Sequence, residues 1–430
     1  MFISSFPIYG LGCYVSASMS PSLGLTLTTL PYFLIILFYA IDLLYKEDIY
    51  IKVNGYYYLV LGLLACYVIS LFIAVNKELP DFPFRLAVFK SVLMLAFFHA
   101  FLIVYLYNQK KEAIVKLAFK GLTVLLLINV IGYFVLGLSN NTHSIEGRIS
   151  FPFINGLYSG ASLVAIINLM VFYFLKRVWD RPITAGRLFF YFSVNLLFLF
   201  YINSRLITLI FLFVIILLLL NVRKKFRGLF VASLATLPIL LSAGAIIFEI
   251  LSLPVFTVIL QRVDFYDITT FNGRSYIWES GIDWLLYDQQ GLVFGNGYKG
   301  HYFVNILYDV GQAFALKDLY NLHMHSGYLE ILVSQGLVGC GVFTALLYSL
   351  FRYYRKKYVN SDMEGIFFPV VVFLLFDASI DTSVYMENLG GLLCALLIAG
   401  VCIKSKVPAI AADLSGLYPP PKAAISINSV

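Results

Sequence analysis

Apolar residues dominate this chain in runs of about twenty, the length an α-helix needs to cross the hydrocarbon core of a bilayer. Such runs cover residues 3–20, 24–45, 55–75, 84–107, 114–138, 156–175, 186–203, 205–221, 228–250, 325–350, 364–382 and 387–403, the first being the weakest. The pattern predicts an all-α polytopic membrane protein with about twelve transmembrane helices. One connection, residues 251–322, is far longer than the others. Within it Tyr276, Ile277, Trp278, Ile282, Trp284, Leu285 and Leu286 fall near helical spacing, which predicts an interfacial amphipathic helix under a lid, and Gly295, Asn296, Gly297 and Gly300 predict turns. A passive loop anchored by its aromatic residues is the alternative. The expected organisation is therefore a block of nine helices over 1–250, a lid loop over 251–322, three further helices over 323–403 and a tail over 404–430. With Pro419, Pro420 and Pro421 in sequence, that tail reads as a short disordered end.

Composition agrees with the pattern. Hydrophobic residues make up 61% of the chain, charged residues only 12%, and the mean hydropathy is +0.88. Soluble domains carry about 25% charged residues, so a water-soluble globule is excluded. The net charge of +7 resides in short basic clusters between apolar runs. These are Lys110, Lys111 and Lys116; Arg177, Arg181 and Arg187; Arg223, Lys224, Lys225 and Arg227; Arg352, Arg355, Lys356 and Lys357; and Lys404 with Lys406. Each follows an even-numbered run, so the positive-inside rule puts these connections and both termini in the cytoplasm and the long insertion on the opposite face. Topology accounts for the basic residues, and no nucleic-acid partner is expected. No cleavable signal is expected either, the first basic residue being Lys46. The five cysteines (Cys13, Cys66, Cys340, Cys394 and Cys402) are odd in number, lie in apolar runs and lack C-x-x-C spacing, which suits packing better than disulfide or zinc chemistry.

Cations on the outer side run against that charge trend and become candidates. Arg205 lies at a tight outer connection, where it snorkels to headgroups or meets an anion. Arg274 opens the amphipathic segment, as half of a surface ion pair with Glu279 or as a bidentate phosphate ligand. Arg85 and Lys90 begin the fourth run, and Lys90 sits far enough into apolar sequence to require a cavity or a partner. Arg148, in an outer loop, adds a further positive group. His323 and His325 lie where the long loop meets the tenth run. On a helix they would point about 200° apart and only one could serve a substrate; an extended approach would let both. Imidazole suits a general base because its ordinary pKa of about 6.5 lies near neutrality, and a structural histidine is the alternative for each. A metal is not expected, since His143 and His301 supply no recognisable ligand spacing. Asp377, Asp381 and Glu387 are either orienting groups for that imidazole or ordinary helix-end carboxylates.

In this order, Ser204-Arg205, Gly273-Arg274 followed by Trp278, Gly295-Asn296-Gly297, and His325-Ser326-Gly327-Tyr328-Leu329-Glu330 leading to Gly336-Leu337-Val338-Gly339 resemble the O-antigen ligase and polymerase superfamily. The motifs span about residues 195–350, and the number of runs and the placement of the long loop extend the likeness to the whole chain. The resemblance implies a GT-C-like fold in the bacterial inner membrane. It implies glycan transfer from undecaprenyl pyrophosphate at the periplasmic face, without cofactor, nucleotide sugar or metal. It assigns His325 to activation of the acceptor hydroxyl and Arg205 and Arg274 to the pyrophosphate. Lys90 and Arg148 match positive positions of some relatives, and Arg85, His323 and Tyr328 complete the expected substrate-binding set. Many relatives have His-Asn where this chain has His325-Ser326, so the second position carries no inference. The segment from His325 to Gly339 leans towards the polymerases. A ligase acting on lipid A core is the alternative, and a flippase for an anionic lipid-linked glycan is the reading from another class. Expected partners are undecaprenyl-pyrophosphate-linked glycans and membrane lipids, with a chain-length regulator left open.

Overall fold

The computed structural model describes residues 2–46, 51–75, 84–108, 111–139, 149–154, 156–220, 227–242, 274–287, 289–313, 322–382 and 388–404. Helices occupy 84% of the structure, and there is no strand among the described residues. The first block contains α1 (Phe2–Ser18), α2 (Pro21–Tyr45), α3 (Tyr56–Val75), α4 (Phe84–Tyr107), α5 (Lys111–Phe134), α6 (Gly156–Arg177), α7 (Pro182–Ile202), α8 (Arg205–Leu219) and α9 (Arg227–Ser242). Four short helices follow: α10 (Arg274–Tyr287), α11 (Gln289–Phe294), α12 (Gly300–Phe303) and α13 (Tyr308–Ala313). The described chain closes with α14 (Gly327–Val359), a 3-10 turn (Met363–Ile366), α15 (Phe367–Ile380) and α16 (Leu389–Cys402).

The boundaries follow local chemistry. Ser20 caps α2 by accepting the Leu23 amide, and Pro21 supplies a first residue that needs no donor. Pro182 opens α7 in the same way, and Asn203 closes it in the left-handed conformation before α8 begins. Seven helical stretches are long and apolar enough to cross a membrane: α2, α3, α5, α6, α7, α14, and the 3-10 turn continued by α15. Three shorter apolar stretches, Leu95–Tyr107, α8 and α16, accompany them. The molecule is thus an all-α multi-pass membrane protein. The weakest of the predicted runs forms α1, which packs against α2 and α5. Residues 243–250 of the ninth run and the tail 405–430 lie outside the described residues.

Burial sorts the helices into centre and rim. Every residue of α15 is buried, enclosed by α6, α8, α9 and α14. On α2 and α7 large apolar groups such as Leu37, Phe38, Leu44, Phe189 and Phe190 are exposed, as suits surfaces that meet lipid. The central α15 thereby holds its C-terminal end against the start of α14, where the candidate chemistry lies.

Candidate active site

Met324 is the anchor from which the site is built. Its amide donates to Glu330 Oε2 at 3.0 Å, and its carbonyl accepts from Trp278 Nε1 at 3.0 Å. Its side chain is wholly buried in an apolar cluster with Ile277, Trp278, Leu329, Val333 and Ile380. The other Glu330 oxygen accepts from His301 Nδ1 at 3.0 Å, and both side chains are buried. A carboxylate removed from water needs such partners, and here it receives one imidazole and one backbone amide. The buried face of α10 consists of Arg274, Ile277, Trp278 and Gly281, at helical spacing. The amphipathic helix expected from Tyr276 to Leu286 is therefore present, but its inner stripe begins with an arginine, while Tyr276, Ile282 and Leu286 are exposed.

The two histidines flank this anchored residue. Ser326 caps α14 by accepting the Leu329 amide, so the helix starts only at Gly327. His325 precedes the cap in the left-handed region, with φ 47°, a conformation few non-glycine residues adopt. The ring centroids of His323 and His325 consequently lie 4.0 Å apart, with planes at 51°. The opposition expected on a helix does not arise because both residues lie before it. Asp381, the residue that ends α15, accepts the Gly327 amide on its carbonyl at 3.0 Å. Its carboxylate and the two imidazoles present nitrogen and oxygen atoms that all lie within 4.8 Å of one another. Sequence leaves Asp381 open between an orienting group and a helix-end carboxylate; the tertiary structure ends α15 on it and brings it to the histidine pair.

Charge and solvation at this turn are set by burial. The His325 imidazole is held well below its ordinary pKa by desolvation, with His323 and the Arg274 guanidinium adding to the effect. His323 is lowered by desolvation too, against the opposing pull of Asp381 and Glu330. Both rings are accordingly neutral near pH 7. His325 Nδ1 is buried without a hydrogen-bond partner, and so is His301 Nε2. Arg274 is itself buried, and its Nη1 donates to the Ile380 carbonyl at the end of α15. Its guanidinium carbon lies 4.6 Å from the centre of the Tyr158 ring. Glu279 is exposed, so the surface pairing considered for Arg274 gives way to an inward one.

A break in α14 braces the turn between α11 and α12. Gly336 has φ 66° and ψ −170°, a region essentially restricted to glycine. The break leaves the Val333 and Ser334 carbonyls without their usual partners inside the helix. They accept instead from the Asn296 amide at 3.0 Å and the Gly297 amide at 2.9 Å. The predicted Gly295-Asn296-Gly297 turn is thus a plug for an interrupted helix. A side chain on Gly295 would meet Gln335 N at 2.3 Å, and one on Gly336 would meet Val293 O at 2.3 Å.

The remaining candidates are distributed differently. Arg205 begins α8, whose next residue, Leu206, packs against the Met324 cluster. Arg85 and Lys90 belong to the first turns of α4, and their side chains lie outside what the structure describes. Arg148 lies outside the described residues altogether. Tyr328 turns away from the histidines and donates to the Leu375 carbonyl of α15 at 3.3 Å. Of the carboxylates that the sequence leaves as orienting groups or helix ends, Asp381 lies beside the histidine pair, and Glu387 lies outside the described residues. The contributions of His301 and Glu330 are not assigned from sequence; a carboxylate at the start of an apolar helix is the available signal for Glu330, and His301 carries no local mark.

Residues 188–344 match the family model described as O-antigen ligase. The match takes in Arg205, Arg274, Trp278, the glycine plug and the histidine turn, and stops before Asp381. No curated protein matches the chain significantly. The matched domain, which contains the anchored histidine turn, supports the resemblance to the O-antigen ligase/polymerase superfamily.

Proposed function

We propose that the protein polymerises undecaprenyl-pyrophosphate-linked oligosaccharide repeat units by inverting glycosyl transfer at the periplasmic face of the bacterial inner membrane. The observation that carries this reading is the half-buried, neutral His325, whose buried Nδ1 is unbonded, beside the Arg274 guanidinium. An acceptor hydroxyl attacks the anomeric carbon of the donor glycan, and its proton passes to His325. The bond from that carbon to the pyrophosphate oxygen breaks, and its electron pair leaves with the lipid pyrophosphate. Arg274, with Arg205 at the head of α8, stabilises the charge gathering on the departing group. The leaving group is already good, so alignment of the two reactants supplies most of the remaining task. Asp381 orients the histidine pair from the end of α15, and Trp278 with Glu330 fixes the turn that carries it. Lys90, Arg85 and Arg148 extend the anion-binding surface on the outer side, and the expected twelve-span GT-C-like bundle puts the site within reach of lipid-borne substrates.

The second reading, ligation of the polymer to lipid A core, is favoured by the description of the matched family itself. Deleting the gene and resolving lipopolysaccharide on a gel separates the two. A lost ladder with one repeat unit still on core supports the polymerase; bare core with accumulated lipid-linked polymer supports the ligase. An unchanged ladder would overturn both.

A further inference from the structure

We propose that His323, His325 and Asp381 form a binding site for a borderline-soft divalent cation, Zn2+ being the type case, and that its occupancy switches glycosyl transfer off. The inhibitory half rests on the reading of His325 as the base; the site itself does not. Two imidazoles and one carboxylate are a common three-ligand set for zinc, leaving a fourth position open. The three donor atoms lie within 4.8 Å of one another, and a tetrahedral zinc with bonds of about 2.0–2.2 Å requires separations of roughly 3.4 Å. Small side-chain rotations close that gap, and His323 and His325 both retain partial exposure.

The surroundings favour a cation. Asp381 and Glu330 both act on His323 as negative neighbours, against His301 and the Arg274 guanidinium. The backbone is already braced for it: Met324, between the two histidines, is bonded at both its amide and its carbonyl, and Asp381 is tied to Gly327. One ring nitrogen, His325 Nδ1, is buried with nothing to bond. Hard cations prefer all-oxygen shells and suit this donor set poorly. A metal seated here takes the imidazole lone pair that the acceptor's proton needs, so transfer stops while the fold remains.

The test uses the full chain, purified in nanodiscs and freed of metal, with Co2+ as a coloured probe. One Co2+ per chain should give visible ligand-field absorption, displaced by Zn2+ and not by Mg2+ or Ca2+. Asp381→Asn and His323→Gln should each weaken binding by more than about 100-fold, since even an outer-sphere partner costs roughly 10–100-fold. His99→Gln, altering a histidine bonded to Tyr57, should leave the spectrum intact and serves with thermal melts as the control for folding. Absence of Co2+ binding, or binding undiminished in both Asp381→Asn and His323→Gln, overturns the site. Zn2+ should inhibit transfer and a chelator restore it; stimulation or indifference overturns the inhibitory half. If His325→Ala remained fully active while the wild-type chain still bound Co2+, the base assignment would fall and the site would stand.

Discussion

Helix α14 ends in two polar clusters that resemble each other in composition and differ in what they leave undone. At its far end Lys357 pairs with Asp362 at 2.9 Å and Glu364 at 3.1 Å. Tyr353 donates to Glu364 at 3.2 Å, and Lys111 donates to Tyr353 at 3.1 Å and to the Gly400 carbonyl at 2.8 Å. Lys111, Tyr353, Lys357, Asp362 and Glu364 line a cavity of about 860 Å³, yet Lys357 there is matched to carboxylates and Lys111 to the carbonyls ending α16. At its near end the cluster is smaller and tighter, but His325 Nδ1 and His301 Nε2 stay buried and unbonded, and His325 has a left-handed backbone. Cavity size and charge count point to the far end, whereas the proposed chemistry lies at the near one. Unused hydrogen-bonding capacity in a desolvated place is the better mark of chemistry, because a purely structural network gains nothing by leaving it unused.

The comparison breaks first if His325→Ala leaves activity intact. Loss of a general base is expected to slow transfer by about 10²–10⁴-fold in an assay with lipid-linked donor, with the melting temperature nearly unchanged. Arg274→Gln should cost about 10²–10³-fold in turnover, as removal of a charge-stabilising donor typically does. Arg274 also bonds the Ile380 carbonyl, so Arg274→Lys, which keeps the charge, should recover part of the rate if the guanidinium acts on substrate. Gly336→Ala tests the brace. Its cost should be at least about 1–3 kcal/mol of strain, read as a lowered melting temperature, with transfer falling because the plug carried by Asn296 no longer fits.

A subtler shift concerns pH. A base must be neutral to accept a proton, and His325 is held well below the ordinary imidazole value. In metal-free buffer the acid limb of the kcat/KM profile should therefore lie below about pH 6.5. In Arg274→Gln a positive neighbour is gone, so protonation becomes easier and that limb should move to higher pH. The smallest effect on transfer belongs to the far end: Lys357→Ala removes the pairs to Asp362 and to the buried Glu364, so it should lower the melting temperature and leave transfer unaltered. A large loss of activity there would show that the two ends are coupled, and would sharpen the question of what the cavity holds.

Much of the architecture was legible because lipid makes it a local matter. Helices in hydrocarbon must satisfy their own backbone, so apolar run lengths mark α2, α3, α4 and α8 to within a few residues. The motif order singled out Arg274 and His325 for similar reasons, being read along the chain. The same pattern gives no sign of the break in the tenth run and leaves Arg274 open between a surface pair with Glu279 and a phosphate contact. A glycine break depends on what packs into it, and an arginine turns inward when a helix-end carbonyl awaits it.

What the sequence determined by itself is the membrane-bound helical class, the resemblance to a superfamily and the two side chains on which the proposed chemistry turns. The tertiary structure alone decided that His323 and His325 meet, that Glu330 and Trp278 clamp Met324 between them, and that Asp381 arrives from α15. Spacing within one segment can encode a helix and a cap. Convergence of four elements on one turn comes from side-chain packing between distant parts of the chain, which no local pattern records.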